Sequence, residues 1–578
     1  MSATMILLVD LNTGAVAPRP LADPLTGGRL LTAELVTEFA NPRTDPLGPG
    51  NALVFAAGPL AGRRVSTGGR LSVGGLSPLT RGIKEANAGG MAADSLAALG
   101  YRAVVFTGAR PADAPAIFCL DENGARFFDG QPYRGLGNEA VARALREQYG
   151  EQYAVVSIGS AGERLLGAAG IAVTDANGQP FRLAARGGLG AVMGSKGLKA
   201  LLIRRVPARA SRASSPTPRA AIVAFHKFVT PNDRVEVLRK YGTASTVMLT
   251  QSLGGLPTRN FSAGQLAGAE AISGEAMRDL ILSRGGEGTP TEACMDGCVI
   301  QCSNIFADAQ GRLAVAPLEF ETLGLCGANL GLTSLDGIAR INRLCNDLGL
   351  DTIEIGAALG VMMEAAELET LPEGIDRALL PRFGDAARAA ELVAEIGQGT
   401  RLGALLGRGV VATGRALGVR RIPAVKGQAM SAYDPRIIKG TGVTYATSPQ
   451  GADHTAGLTV FAPVNHRDPA NAVALSRGSQ LQRAAYDALG LCVFNLGATG
   501  PRPDVVLAML KEAYGVDLPA DWLNTLGRRV IDVERAFNRA AGFTEADDRL
   551  PEFFVSESLP PTGSRFDVPE TELDSIWS

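Results

Sequence analysis

Hydrophobic positions change rhythm once along this chain. Up to about residue 205 they come in short runs, "MILLVDL", "NALVFAAG", "AVVFTG", "AIFCLD", "YAVVSIG", "GIAVTD" and "KALLIRRV", punctuated by Asn-Gly, Asp-Pro and Gly-Gly turns. That pattern predicts a sheet-dominated unit with few helices. Further on, segments such as "LTSLDGIARINRLCNDLG" and "IEIGAALGVMMEAAEL" return apolar residues every three to four positions, the period of amphipathic helices. The break is "PARASRASSPTPRA", residues 207–220, whose Ser, Pro and Arg without apolar periodicity read as a surface linker. A softer division falls near 420, where "GVRRIPAVKGQAMSAYDPR" interrupts the helices with Pro and Gly. The expectation is an α+β chain: a β-rich domain over 1–206, the linker, and mainly α-helical domains over 221–420 and 421–578, the last ending in an extended tail. No fixed-period repeat is present.

A length of 578 residues supports several cores rather than one. Hydrophobic content of 46% with 20% charged residues is that of a soluble globular protein, and 71 glycines point to tight turns or close backbone approach to a ligand. A formal charge of -2 provides no basic field for nucleic acid. The opening "MSATMILLVDLNTG" has no basic n-region and reads as a strand rather than a signal peptide. No apolar run reaches the ~18 residues of a membrane span. A cytoplasmic protein is expected.

Three of the seven cysteines stand at four-residue steps in "ACMDGCVIQCSN": Cys294, Cys298 and Cys302. On a helix these thiols would form one stripe, about 6 Å apart along the axis. Fe–S clusters are commonly held by four thiolates, and Cys492 in "DALGLCVFN" is the natural fourth. Structural zinc and simply packed thiols are the competing readings. Two similar strings, "NDLGLDT" at 346–352 and "DALGLCV" at 487–493, read either as helix ends capped by Gly349 and Gly490 or as paired sites whose carboxylates accept hydrogen bonds from a heterocycle. Gly-rich strings containing Arg70, Asn87, Gly89, Gly90 and Arg186 to Lys196 suit backbone approach to phosphate. They lack the dinucleotide fingerprint, and turn chemistry alone is the alternative.

These residues resemble the tungsten-containing aldehyde:ferredoxin oxidoreductase family. The resemblance runs in order through "VDLNTG", "DPLGPGNALVFAAGPLAG", "SPLTRGIKEANAGG", "RGGLGAVMGSKGLKA", "LEFETLG", "CNDLGLDTIEIG", "YDPR", "YATSPQGADHTAG", "DALGLC" and "VERAFNRAAGFTEADDRLPEFF". It is strongest to catalytic subunits of bacterial aldehyde oxidoreductase complexes. It implies a tungsten bis-pyranopterin, with molybdenum as the alternative metal, beside a [4Fe-4S] cluster at the domain interface, and Mg2+ bridging the pterin phosphates. Cys294, Cys298, Cys302 and Cys492 inherit the cluster. Asn346, Asp351, Asp487 and the backbone of Leu491 inherit pterin contacts. Arg70, Asn87, Gly89, Gly90, Arg186, Gly187, Gly188 and Gly190 inherit the phosphate side, with Arg70 between cluster and pterin. The tungsten itself takes no protein ligand.

His454 matches the family's active-site histidine. The two carboxylates in "LEFETLG" lie in an apolar stretch, where an unpaired one has a raised pKa and a buried ion pair is the alternative; Glu319 is favoured as the active-site carboxylate and Glu321 is its rival. His226 and His466 are assigned to packing and surface. The implied reaction oxidises small aldehydes to acids and passes electrons through the cluster to ferredoxin or to a partner Fe–S subunit, with a flavin subunit as a further member of an oligomer or complex. A reductase of the same cofactor family acting on an aromatic thioester or a carboxylic acid, and a noncatalytic electron relay, stay open as alternatives. The chain departs from the family in three ways: three residues rather than two separate Cys294 from Cys298, Asn346 replaces an Asp, and there is no Glu-x-x-His string for a subunit-bridging iron.

Overall fold

The computed structural model describes residues 4–111, 113–206 and 220–578. The expected linker falls outside these apart from Ala220, which begins a helix.

Twelve strands build two six-stranded sheets in the first 204 residues: β1 Met5–Asp10, β2 Val16–Pro20, β3 Leu53–Ala57, β4 Leu71–Leu76, β5 Ile83–Ala88, β6 Tyr101–Thr107, β7 Ala116–Asp121, β8 Gly124–Asp129, β9 Tyr153–Ser157, β10 Ile171–Val173, β11 Arg182–Ala184 and β12 Leu198–Arg204. The first sheet has the order β2-β1-β6-β3-β4-β5 and the second β11-β10-β9-β12-β7-β8. Only β1/β6 and β7/β12 pair in parallel.

Period-two alternation sends one face of each sheet into a shared layer. Val9, Phe55, Val73 and Phe106 of the first sheet meet Phe118, Val156, Val173 and Leu201 of the second. Phe106 packs edge-on against Phe118 with ring centroids 5.0 Å apart. The outer face of the first sheet is covered by the helix Gly28–Phe39 through Leu31, Leu35 and Val36. The outer face of the second is covered by the helix Asn138–Tyr149 through Val141, Ala142 and Leu145. Strands covered on both sides need apolar residues at every position, which is why Leu53–Ala57 is wholly buried.

All seven predicted runs are strands. β4 and β5, however, lie inside the glycine strings read as phosphate loops. Gly74 is needed there because a Cβ would stand 2.2 Å from Thr32 Cγ2 on the covering helix.

The remaining chain is mainly helical around one large core. The helix Leu335–Leu348 begins at a Ser334 cap and ends at Gly349 with φ +74°. Thr352–Glu367 begins at the Asp351 cap and is buried along most of its length. Lys439–Thr447 is buried at all nine positions. Ala472–Leu489 packs against Trp522–Ala541, the C-terminal long helix. The tail is less extended than expected: Glu552–Ser556 and Glu570–Ser575 are helical, and Phe554 and Trp577 anchor it in the core. Among the described residues no helix is long and apolar enough to cross a membrane.

Candidate active site

The cysteine trio is not on a helix. Residues 293–301 form turns and bends between the short strands Thr289–Glu292 and Ser303–Ala307, with Gly297 at φ +71°. A left-handed glycine between the first and third thiols breaks any regular i, i+4 stripe. The loop instead places Cys294 against Gly89, where a Cβ would lie 3.1 Å from Cys294 Sγ. Cys492 arrives from the other helical region, its N–H donating to Thr67 O at 3.0 Å.

The thiols lie within electrostatic reach of one another. The hydrogen bond with Cys298 pushes the Cys294 thiol down to about 6, against its burial, with help from Arg182 and Arg70. Burial pushes Cys302 up, as do Glu319, Cys294 and Cys492. Among the described residues no three His, Cys, Asp or Glu side chains converge on a single-ion site.

The two duplicated strings are helix ends, and the two ends are docked alike. Gly349 O accepts from Gly170 N at 2.8 Å, and Gly490 O accepts from Arg70 N at 3.2 Å. Two residues on, Asp351 N donates to Ala168 O at 2.9 Å, as Cys492 N does to Thr67 O. Each end needs a glycine opposite it: a Cβ on Gly159 would stand 2.3 Å from Leu348 O, and one on Gly58 2.1 Å from Leu489 O. Both strings are helix caps, and the two caps dock on the sheet domain in the same way. Each helical region presents a capped C-terminus to the sheet domain and holds a polar side chain, Asp351 or Asp487, at the junction.

Around the second junction Asn87 Nδ2 donates to Asp487 Oδ1 at 3.2 Å, and Arg70 Nε donates to Asn87 Oδ1. Burial opposes the Arg70 charge, but Cys492, Cys294 and Asp487 raise its pKa overall. Around the first, Arg186 reaches Asp351 Oδ2 at 3.2 Å, Ala452 O at 2.7 Å and Ser431 Oγ at 3.2 Å. Asn346 Nδ2 donates to Ala316 O at 3.3 Å, a bond an Asp could not make, and its own carbonyl accepts from Asn138 at 2.9 Å. The Leu491 N–H is spent on its helix cap, bonding Tyr486 O at 2.9 Å. Gly90, Gly187, Gly188 and Gly190 are packing positions, each with backbone or side-chain atoms within 2.6 Å of where a Cβ would sit.

His454 lies between Ser431 Oγ, 2.9 Å from Nδ1, and Glu321 Oε1, 3.4 Å from Nε2. The other Glu321 oxygen accepts from Ala432 N at 2.8 Å. Burial pushes Glu321 up to about 8 despite that bond and Arg186, and burial pushes His454 down to about 3 although Asp453 opposes it. The favoured Glu319 faces elsewhere: it accepts from Thr243 Oγ1, and it raises the pKa of Cys302. The partner of His454 is the rival, Glu321. His226 accepts from Ser66 N at 2.8 Å, and Ser66 Oγ accepts from Val299 N of the cysteine loop at 2.9 Å, a packing role.

Several members of the site are not evident from sequence. Lys84 is wholly buried and bonds Asp453 Oδ2 at 2.6 Å, holding the residue next to His454. Arg29 clamps Glu534 with two bonds of 2.8 Å and reaches Asp487 at 3.4 Å. Tyr445 is fully buried near Glu321 with no hydrogen-bond partner for its hydroxyl, and Glu321 Oε1 likewise lacks one. Only Asp453, adjacent to His454 in "GADHTAG", had a signal of its own.

Arg70, Asn87, Cys294, Cys302, Glu319, Glu321, His454 and Arg483 all retain accessible surface. Burial is nonetheless the largest influence on the titration of Arg70, Glu319, Glu321, His454 and Arg483. Accessible surface in so buried a setting is enclosed surface, and it is kept on the thiol side, at the Asp487 junction and at the His454–Glu321 pair.

The chain matches known proteins along nearly its whole length. Residues 6–205 match the family model "Aldehyde ferredoxin oxidoreductase, N-terminal domain", and residues 221–576 match "Aldehyde ferredoxin oxidoreductase, domains 2 & 3". The tungsten-containing aldehyde ferredoxin oxidoreductase of Pyrococcus furiosus is 32% identical, covering 96% of this chain and 91% of its own. That of Thermococcus kodakarensis is 32% identical with the same coverage, 96% and 91%. The WOR-like subunit of an aliphatic sulfonate oxidoreductase from Pyrococcus furiosus is 25% identical over 92% of this chain and 84% of its own. A solved active-site complex of benzoyl coenzyme A reductase shares the fold, with a TM-score of 0.77, 18% identity, and coverage of 95% of this chain and 90% of that one. With both family models matched and relatives above 30% identity along nearly its whole length, this chain belongs to the aldehyde ferredoxin oxidoreductase family of oxidoreductases.

Proposed function

We propose that this chain oxidises aldehydes to carboxylic acids, with a tungsten bis-pyranopterin and a [4Fe-4S] cluster as cofactors and ferredoxin or a ferredoxin-like Fe–S subunit as electron acceptor. The observation behind this reading is that Arg70 joins the thiol side to the Asp487 junction and Arg186 joins the Asp351 junction to the loop of His454 and its neighbour Glu321. The residues suit the groups. Cys294, Cys298, Cys302 and Cys492, all free, supply the four thiolates a cluster takes. Arg70, between the thiols and Asp487, supplies positive charge beside a cluster and a pterin. Asp351, Asp487, Asn87 and Arg186 offer acceptors and donors to heterocycle and phosphate, and Mg2+ belongs on the phosphate side. The orphaned Glu321 Oε1 and Tyr445 Oη are buried polar atoms that need a partner.

A tungstopterin held by these residues would supply the two-electron acceptor and the oxygen-transfer chemistry. The chain moves the protons. Converting an aldehyde and water to an acid releases two protons with the two electrons. Glu321, with its pKa near 8, holds a proton at neutral pH, while His454, near 3, is a neutral imidazole there. Glu321 Oε1 stands 3.4 Å from Nε2 without a hydrogen bond, so the proton of the carboxylic acid is available to a substrate bound beside the neutral ring. Ser431 against Nδ1 fixes the ring's orientation. Asp453, clamped by Lys84 and near Arg186, stays ionised and anchors the loop that presents the ring.

The deciding experiment is metal analysis of protein made with tungsten and molybdenum both supplied, with aldehyde-dependent reduction of a viologen dye. Tungsten or molybdenum with about four irons per chain and aldehyde-dependent reduction is expected. Iron without either metal, and no reduction, would overturn the reading in favour of an electron relay.

A further inference from the structure

A turn at residues 65–68, between β3 and β4, bonds both chain segments that carry the thiols. It closes through Gly68 N donating to Val65 O at 3.0 Å. Ser66 Oγ accepts from Val299 N, next to Cys298, at 2.9 Å, and Ser66 N donates to His226 Nε2 at 2.8 Å. His226 stands on the helix Ala220–Val229, which therefore grips the turn as well. Thr67 O accepts from Cys492 N at 3.0 Å, and Thr67 Oγ1 accepts from Asn495 Nδ2. Consecutive residues of one turn thus address the cysteine trio and then the fourth cysteine.

The turn is built against its backbone preference. Thr67, its third residue, has φ +65°, a position that favours Gly or Asn, and β-branching makes it a true outlier. Arg64, just before the turn, is left-handed too, at φ +61°. Such residues cost about 1–3 kcal/mol each and persist only where the surroundings fix them. Asp94 packs into this segment: its Oδ1 accepts from Gly62 N at 2.6 Å, and a Cβ on Gly69 would stand 2.6 Å from its Oδ2. Ser66 and Thr67 are themselves fully buried.

A backbone N–H beside a ligand cysteine is the nearest protein donor to a cluster's sulfurs. Donation there stabilises the reduced, more negative state and raises the reduction potential. Here the N–H groups of Val299 and Cys492 are both spent on the turn. We propose that the turn 65–68 is a positioning element that withholds these two donors, and so holds the cluster potential low enough to pass electrons to a ferredoxin, itself a low-potential acceptor. Ser66 is the member whose side chain makes the withholding bond. The inference rests on the reading that the four cysteines hold a [4Fe-4S] cluster.

The test is a redox titration of the loaded protein followed by electron paramagnetic resonance, with iron per chain and Tm measured alongside. Ser66→Ala frees the Val299 N–H. The reduction equilibrium of the cluster should then shift about tenfold toward the reduced state, a midpoint about 59 mV higher for one electron. Ser66→Thr keeps the acceptor oxygen and should stay at the wild-type midpoint. An unchanged or lower midpoint in Ser66→Ala with iron retained, or a rise that Ser66→Thr shares, overturns the inference. So does loss of iron from folded Ser66→Ala, because the bond would then hold the loop without tuning the cluster. If Ser66→Ala does not fold, His226→Ala, which releases Ser66 N from further out, is read by the same criteria against His226→Gln. Wild-type protein without iron or a cluster signal fails the functional reading itself, whereas a wild-type cluster whose midpoint the variants leave unmoved sinks this inference alone.

Discussion

At the residue scale the site depends on one carboxylic acid staying protonated. Glu321 is held up to about 8 by burial, and His454 is held down to about 3. The pair therefore has the same protonation state from mildly acidic to neutral solution. The sign of the pH dependence follows: as pH rises through about 8, Glu321 loses the proton it donates, and kcat falls. Glu321→Gln should lower kcat by about a hundredfold or more and remove that alkaline limb, with tungsten and iron unchanged. His454→Ala should show a similar loss with the metals retained. Glu319→Gln should leave the alkaline limb in place, because Glu319 faces the cysteine side. Spacing along the sequence did not separate the two carboxylates. They flank Phe320 at the start of a three-residue helix, Glu319 as its extended cap and Glu321 inside the first turn, and that local bend sends them in different directions. The thiols were legible because four cysteines of this type have few other uses. Lys84, Arg29 and Arg483 were not, because whether a cation is buried or paired depends on segments hundreds of residues away.

At the level of elements, the alternating runs predicted strands and the apolar periodicity predicted helices, since each pattern reports which face meets a core. The cysteine loop was misjudged as a helical stripe because equal spacing is a helix signal only without a left-handed break, and Gly297 provides one. The paired helix ends were visible as repeated strings, but their docking depends on glycines with no spacing rule of their own. Gly58→Ala tests that docking. The new methyl would stand 2.1 Å from Leu489 O, forcing back the segment that presents Gly490 and Cys492. A stability loss of about 1–3 kcal/mol or more is expected, read as a lower Tm, together with reduced iron per chain. Gly478→Ala is the matched comparison, since Gly478 lies in the same helix with nothing within 4 Å of a new Cβ. Iron should be unchanged there, and the helix gains up to about 1 kcal/mol.

On the scale of the whole molecule, the sheet domain and the C-terminal helices are joined through buried charge. Arg29 extends from the helix covering the first sheet to Glu534 on Trp522–Ala541 and to Asp487 at the end of Ala472–Leu489. Gln450 adds a bond of 2.7 Å to Glu534 and accepts from Glu85 N of β5 at 2.6 Å. The network therefore sets the distance between the sheet and the helix end that bears Cys492. A buried pair of this kind adds little net stability over an apolar pair, but losing one member leaves an uncompensated charge. Arg29→Met should strand Glu534 and Asp487 and cost about 3–5 kcal/mol, seen as a markedly lower Tm. The double variant Arg29→Met, Glu534→Leu removes the stranded Glu534 and should recover part of that loss, while Asp487 remains uncompensated. If the network's role is to hold the helix end in place, both variants should also lose tungsten and iron in proportion, because Asp487 and Cys492 lie only five residues apart. A double variant that regains stability but still lacks its metals would show that the charge positions the site, whereas full recovery of both would make it a packing feature alone.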